Sequence, residues 1–187
     1  ASGDTAWVQS IEAILAETAV AVTAARQTLI RDLNQEAEKG WLGFPGVQLS
    51  LVGDTEQWLA DMPALQVEDK LMAAAKTARL AGDLAIPGPH ASDLQALHLA
   101  SKTPAYLAST GQQQALLIAV VMAHARLQER RLGRSPIMLL DDVAAHLDAD
   151  RRSALFEAVS LLGGQCWYSG SDQQQFDDLR GKAQFIE

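Results

Sequence analysis

Apolar positions recur along the chain with two periods, about 3.6 and about 2, and each predicts its own kind of element. From Thr5 to about Lys39 an alanine-rich stretch repeats Trp7, Ile11, Ile14, Val22, Leu29 and Leu33 near helical spacing. One long helix stopped by Gly40 is expected. Such a stripe is ordinarily packing surface or the seam of a helix pair. Behind a turn at Gly43 to Gly46, Val47 to Val52 alternates apolar and polar residues and predicts a half-buried strand. Glu56 to Ala60 predicts a short helix, and Ala64 to Ala81 a longer one ended by Gly82. Two prolines flank a glycine in Pro87-Gly88-Pro89-His90, so a rigid loop is expected there.

Beyond that loop the pattern shifts. Leu94 to Leu99 predicts a strand and Ser101 to Ala108 a loop, while Gly111 to about Arg131 is a strongly apolar helix closed by Gly133. Ile137 to Leu140 is a short continuous apolar run, the mark of a strand buried on both faces. Residues 149 to 162 predict a helix, with Asp148 or Asp150 near its N-cap. Cys166 to Tyr168 predicts a strand, Phe176 to Leu179 a short helix and Ala183 to Ile186 a last strand. The expected fold class is α/β in two parts: residues 1–82 a mostly α-helical arm with a small strand element, and 83–187 a lobe of strands flanked by helices.

Composition narrows the class. With 187 residues and 48% hydrophobic content, the chain suits a folded soluble piece with one substantial core or a core plus an appendage. Cys166 is the only cysteine, so no internal disulfide forms and a reducing, cytoplasmic setting is expected. No uncharged apolar run reaches the length of a membrane span, and the first residues do not have the make-up of a signal segment. No membrane partner is expected. A formal net charge of −8 argues against this chain being the main grip on DNA, because phosphate contacts need clustered Lys and Arg.

Candidate chemistry gathers in the second part. The apolar strand runs straight into Asp141 and Asp142, the shape of a Walker B element, in which the first carboxylate holds Mg²⁺ on a nucleotide phosphate and the next acid positions the attacking water. Upstream, Ser109-Thr110-Gly111-Gln112-Gln113 opens the long helix, where bare N–H groups and the positive dipole end suit a phosphate; a plain N-cap at Ser109 or Thr110 explains the same residues. Arg126, Arg130 and Arg131 near that helix's end are favoured there by the dipole, with a nucleic-acid patch as the alternative. Arg151 and Arg152 lie in a first turn that disfavours cations. A partner for them is expected.

In order and spacing, Ser109-Thr110-Gly111-Gln112-Gln113, the helix through Ala123-His124-Ala125-Arg126-Leu127, and Leu139-Leu140-Asp141-Asp142 with Leu147-Asp148 behind it resemble the RecF family of DNA replication and repair ATPases. Gly88-Pro89-His90 with Asp93-Leu94 adds to the resemblance, which covers the whole chain as the carboxy-terminal half of that family. It implies the carboxy-terminal lobe of an ABC-type ATPase head carrying an arm, in a cytoplasmic protein of recombinational repair, replication-fork maintenance and the SOS response. ATP and Mg²⁺ would be the cofactors of the complete protein. Its partners would be DNA, held mainly through the other half, a second copy in an ATP-dependent dimer, and other recombination mediators.

Carried over residue by residue, the resemblance makes Asp141 the Mg²⁺ ligand and Asp142 the group that orients or deprotonates water. Ser109, Thr110, Gly111 and Gln112 would face the partner's γ-phosphate, and Asp148 would line the seam. The chain departs from the pattern in four places. It contains no G-x-x-x-x-G-K-[ST] loop, so by itself it is expected to be inactive. Ala91 stands where an arginine commonly follows Gly-Pro-His, and no histidine follows Tyr168, leaving Ser169, Ser171 or Asp172 for that role. Aspartate at 142 replaces the commoner glutamate, which implies slow turnover. Two other classes remain open: a non-enzymatic interaction module docking a partner through the helical arm, and a metal-hydrolase centre drawing on His90, His98 and His124.

Overall fold

The structure is a computed structural model that describes residues 2–83 and 86–186. It contains five α-helices and five strands among those residues. Helix α1 (Ser2–Ala37) is followed by β1 (Val47–Val52), α2 (Asp54–Asp61), α3 (Ala64–Ala81), β2 (Asp93–His98) and β3 (Thr103–Pro104). Helix α4 (Thr110–Leu132), β4 (Met138–Leu140), α5 (Ala149–Leu162) and β5 (Cys166–Tyr168) complete the regular elements. One sheet has the order β1-β2-β3, and β4 pairs with β5 in a second. This is the mixed α/β class expected.

Two compact units divide the chain: Ala1–Arg31 with Ser50–Gln95, and Asp32–Leu49 with Ala96–Glu187. In the first, α1 and α3 pack through Ala16, Val20, Val67 and Leu71, apolar residues four apart on each helix, with Trp58 and Leu59 of α2 closing the side. Arg79 reaches Glu12 across that pair at 2.8 Å, and Lys70 lies 4.0 Å over the Trp58 ring. The span Ala6–Ala37 of α1 has the length and mean hydropathy of a membrane-crossing helix, but Glu12 and Glu17 interrupt it and its Ala16–Val20 side is spent on α3. Gly82 ends α3 in the left-handed conformation, receiving the chain where the sequence predicts the stop.

In the second unit the last turns of α1 are tied to α4. Arg126 donates to the Glu36 carbonyl at 2.6 Å and lies over the Trp41 ring, Arg130 meets the Glu36 carboxylate at 2.5 Å, and Arg131 pairs with Asp32. Three arginines read in the sequence as dipole-favoured cations or a nucleic-acid patch are thus engaged with carboxylates. Burial holds the Arg126 pKa below its ordinary value, against the opposing pull of Glu36. Asn34 also closes both backbone groups of Leu49, at 2.8 Å each. Gly46 is required by closeness: a Cβ there would lie 2.4 Å from the Glu38 carbonyl.

Three expectations need correction. Strand β4 is not buried on both faces: Met138 is 8% exposed, but Leu139 is 76% and Ile137 65% exposed. With β5 as its partner in a two-stranded sheet, alternation puts Met138 inward and leaves the other face uncovered. The predicted loop 101–108 contains β3, paired antiparallel with β2 at Leu97↔Pro104 and His98↔Thr103, and a 3-10 turn at Ala105–Leu107. No strand forms at residues 183–186. The backbone N–H groups of Lys182 and Ala183 turn back onto the Leu179 carbonyl at 2.9 and 3.0 Å instead.

Candidate functional site

Ser109, Thr110, Gly111, Gln112, Asp141, Asp142 and Asp148 all fall in the second unit. Ser109 caps α4: its hydroxyl accepts from the Gln112 N–H at 3.4 Å, while the Gln112 side chain accepts from the Ser109 N–H at 3.0 Å. This reciprocal capping box stabilises a helix start by about 1 kcal/mol. Gln113 donates to the Ala105 carbonyl at 2.9 Å and anchors the turn that precedes the cap. Thr110 and Gln112 are exposed, and Gly111 is half-buried in the first turn. A Cβ at Gly111 would meet nothing nearer than the Arg151 guanidinium, at 3.6 Å. Packing within this chain therefore does not demand glycine there.

Arg151 has the partner its position called for. Its backbone N–H donates to the Asp148 carboxylate at 2.8 Å, making Asp148 the N-cap of α5. Its guanidinium lies 3.7 Å from the same carboxylate and donates to the Gly111 carbonyl at 3.3 Å. One side chain thus joins the first turns of α4 and α5. The carboxylate offsets a cation that two helix dipoles would otherwise disfavour.

At the sheet, parallel pairing of Met138↔Cys166, Leu139↔Trp167 and Leu140↔Tyr168 brings both strands to a common C-terminal edge, where crevices of parallel sheets lie. Asp141 and Asp142 leave β4 there, and Ser169 leaves β5. Ser169 donates its hydroxyl to the Asp141 carboxylate and its N–H to the Leu140 carbonyl at 3.1 Å. The Asp142 N–H donates to the Ser169 carbonyl at 3.2 Å and to the Ser169 hydroxyl at 3.1 Å. Asp142 sits at φ 49, the left-handed region that an aspartate tolerates better than most residues. From Asp142 a 3-10 turn at Val143–His146 leads to Leu147 and the Asp148 cap.

Underneath, Phe156, Phe176 and Ala144 form a small core, and Tyr168 meets Phe156 edge-on with ring centroids 5.2 Å apart. Burial pushes the Tyr168 phenol and the Cys166 thiol above their ordinary pKa values. Both stay neutral near pH 7. His98 accepts from the Ser101 N–H at 3.2 Å, His124 contacts Gln128, and His90 lies in the first unit. Among the described residues no group of three His, Cys, Asp or Glu side chains converges on a metal position. Mg²⁺ is commonly held by one or two carboxylates plus substrate phosphates and waters, so Asp141 fits a cation carried in on a nucleotide and not a caged one. The contact between Ser169 and Asp141 and the Arg151 bridge to Gly111 link residues 28 and 40 positions apart in sequence, and periodicity carries no signal of either.

This arrangement of helices about short strands is a mixed α/β fold that recurs as part of solved RecF structures. The chain aligns over 92% of its length with a solved structure of the recombination mediator protein RecF-ATPrS of the RecFOR pathway, at a TM-score of 0.65 and 19% identity, covering 46% of that protein. A RecF-ATP structure of the same pathway gives the same TM-score over 89% of the chain. In sequence the chain is 40% identical over 190 residues to the DNA replication and repair protein RecF of Mesorhizobium japonicum, and 39% identical over 190 residues to that of Brucella abortus. The RecF of Rhizobium meliloti is 38% identical over 188 residues. These matches cover 98–99% of the chain and 50% of each relative, so the chain spans about half the length of the curated relatives it matches. No protein-family model matches. The chain is RecF-like along its whole length and corresponds to the carboxy-terminal half of that protein.

Proposed function

We propose that this chain supplies one half-site of a RecF-type, DNA-binding ATPase, in which two heads close over ATP and turnover is slow. The observation that carries this is the edge of the second unit: two acids at the end of β4 pinned by Ser169 at the end of β5, connected through the Asp148 turn and Arg151 to the capped start of α4. In this reading residues 83–187 belong to the head and 1–82 to an arm; the compact units are drawn differently, with Asp32–Leu49 grouped with the second unit and residues 83–95 with the first. When ATP and Mg²⁺ are bound they supply the phosphates and the Lewis acid. Asp141 would hold the cation through its carboxylate, and Asp142 would orient the attacking water or accept its proton.

Ser109, Thr110, Gly111 and Gln112 turn the start of α4 toward the γ-phosphate held by the other copy, with the N–H groups of Thr110 and Gly111 as donors, since the capping box takes those of Ser109 and Gln112. The unforced glycine at 111 supports this, because the bare position suits a ligand approaching from outside the chain. Asp148 lines the seam. The uncovered face of the sheet, with Leu139 76% and Trp167 50% exposed, is where the phosphate-loop half packs. DNA is gripped mainly by that half, since this chain carries a net charge of −8. The setting is cytoplasmic recombinational repair, with other recombination mediators as partners.

Two measurements test the reading. Calorimetric titration of this chain alone with ATP should show no micromolar binding, because neither phosphate-loop lysine nor cradle is in the sequence. The complete protein carrying this chain should dimerise with ATP, and Asp141→Ala should abolish hydrolysis. An ATP-independent monomer would remove the proposal. A second reading, an interaction module docking through the arm, is favoured by Trp7 and Ile14 of α1, 66% and 62% exposed on one face. Full parental function with both Asp141 and Asp142 replaced by alanine would select it.

A further inference from the structure

Ser169 has no freedom in its hydroxyl. The oxygen accepts from the Asp142 N–H at 3.1 Å, and the single hydroxyl proton is given to Oδ1 of Asp141. Two backbone bonds, Ser169 N–H to Leu140 carbonyl at 3.1 Å and Asp142 N–H to Ser169 carbonyl at 3.2 Å, lock the same pair of strand ends together. Asp141 therefore presents its two oxygens unequally. Among the described residues, Oδ1 is engaged by Ser169 and no hydrogen bond or ion pair reaches Oδ2.

That asymmetry matters for the choice of cation. Ca²⁺ takes six to eight oxygens in flexible geometry and accepts a carboxylate through both oxygens, whereas Mg²⁺ holds to a near-ideal octahedron and keeps waters and phosphates in it. We infer that Ser169 is a specificity-determining residue for the divalent cation: by taking one lone pair of Oδ1 it biases Asp141 toward single-oxygen ligation through Oδ2, which suits Mg²⁺ and disfavours Ca²⁺. The inference rests on the reading of Asp141 as a metal ligand. The hydroxyl also fixes the direction of the carboxylate, as hydrogen-bonded partners of metal ligands generally do.

The test uses the complete protein carrying this chain, with ATP, and Mn²⁺ as the paramagnetic probe followed by electron paramagnetic resonance. Bound Mn²⁺ is displaced with Mg²⁺ or with Ca²⁺, and the ratio of the two half-displacing concentrations is the readout. In Ser169→Ala the preference for Mg²⁺ over Ca²⁺ should shrink about tenfold. Ser169→Thr, which keeps the hydroxyl, should restore it. A ratio in Ser169→Ala within about twofold of the wild type overturns the inference while leaving Asp141 as ligand, since tuning by a ligand's hydrogen-bond partner is typically larger. Protein-bound Mn²⁺ unaffected by Asp141→Ala overturns the ligand assignment and the inference with it.

Discussion

The α1–α3 pair of the first unit buries the apolar stripe along its seam, whereas the β4–β5 pair of the second leaves one apolar face open. Val67 and Leu71 of α3 are 0% and 3% exposed against Ala16 and Val20 of α1. Leu139 of β4, equally apolar and flanked by apolar neighbours, is 76% exposed. A helix pair satisfies its own backbone and needs one partner for one stripe. A sheet offers two faces and two edges, and this one covers a single face. Apolarity states that a residue is to be covered; topology decides whether this chain supplies the cover.

The same substitution at two leucines breaks or sharpens that contrast most directly. Leu71→Ala removes a buried side chain and should cost about 2–5 kcal/mol in chemical denaturation. Leu139→Ala should change the stability of this chain by less than about 0.5 kcal/mol. Equal losses at the two sites would mean that β4 is covered after all. Next in size is Asn34→Ala, which strips both side-chain partners from the Leu49 backbone at positions where the bonds are 2.8 Å. A loss of about 1–3 kcal/mol is expected. Asn34→Asp, which keeps the acceptor for the Leu49 N–H but loses the donor to its carbonyl, should fall between.

Strain gives a smaller effect of opposite sign. Asp142 holds a positive φ through its ties to Ser169, so Asp142→Gly should raise the stability of the isolated chain by up to about 1 kcal/mol. Hydrolysis in the complete protein should be lost with it. A destabilised Asp142→Gly chain would show that the carboxylate itself holds the turn.

Much of the architecture was legible because it is local. The span Ala64–Ala81, the strand Val47–Val52 and the stop at Gly82 follow from spacing, from alternation and from a residue that tolerates positive φ. The capping box at Ser109 is likewise written in neighbouring residues. What was illegible depends on residues far apart in sequence. Arg126, Arg130 and Arg131 are spent on Glu36 and Asp32, some 90 or more positions earlier, so a charge run that resembles a surface patch is internal wiring. The candidate site divides the same way: the order of its motifs is visible in the chain, whereas the bridge from Arg151 to Gly111 and the tie from Ser169 to Asp141 exist only once the second unit has closed.

Alkaline pH should separate the two regions most gently. The first unit contains no cysteine or tyrosine, while β5 carries Cys166 and Tyr168, whose pKa values burial raises above the ordinary 9.0 and 10.0. A raised folded pKa means the folded state holds the proton more tightly than the unfolded chain does. The contribution is therefore intact below about pH 9 and is lost as pH climbs toward the folded values, because the unfolded thiol and phenol ionise first. Hydrogen exchange across β4 and β5 should accelerate above pH 9 beyond the ordinary base-catalysed rise, with α1 and α3 keeping to that rise. Cys166→Ala should remove the onset near pH 9, and Tyr168→Phe, which retains the ring against Phe156, should remove the later part. Identical pH profiles in both units would place the alkaline weakness outside the sheet.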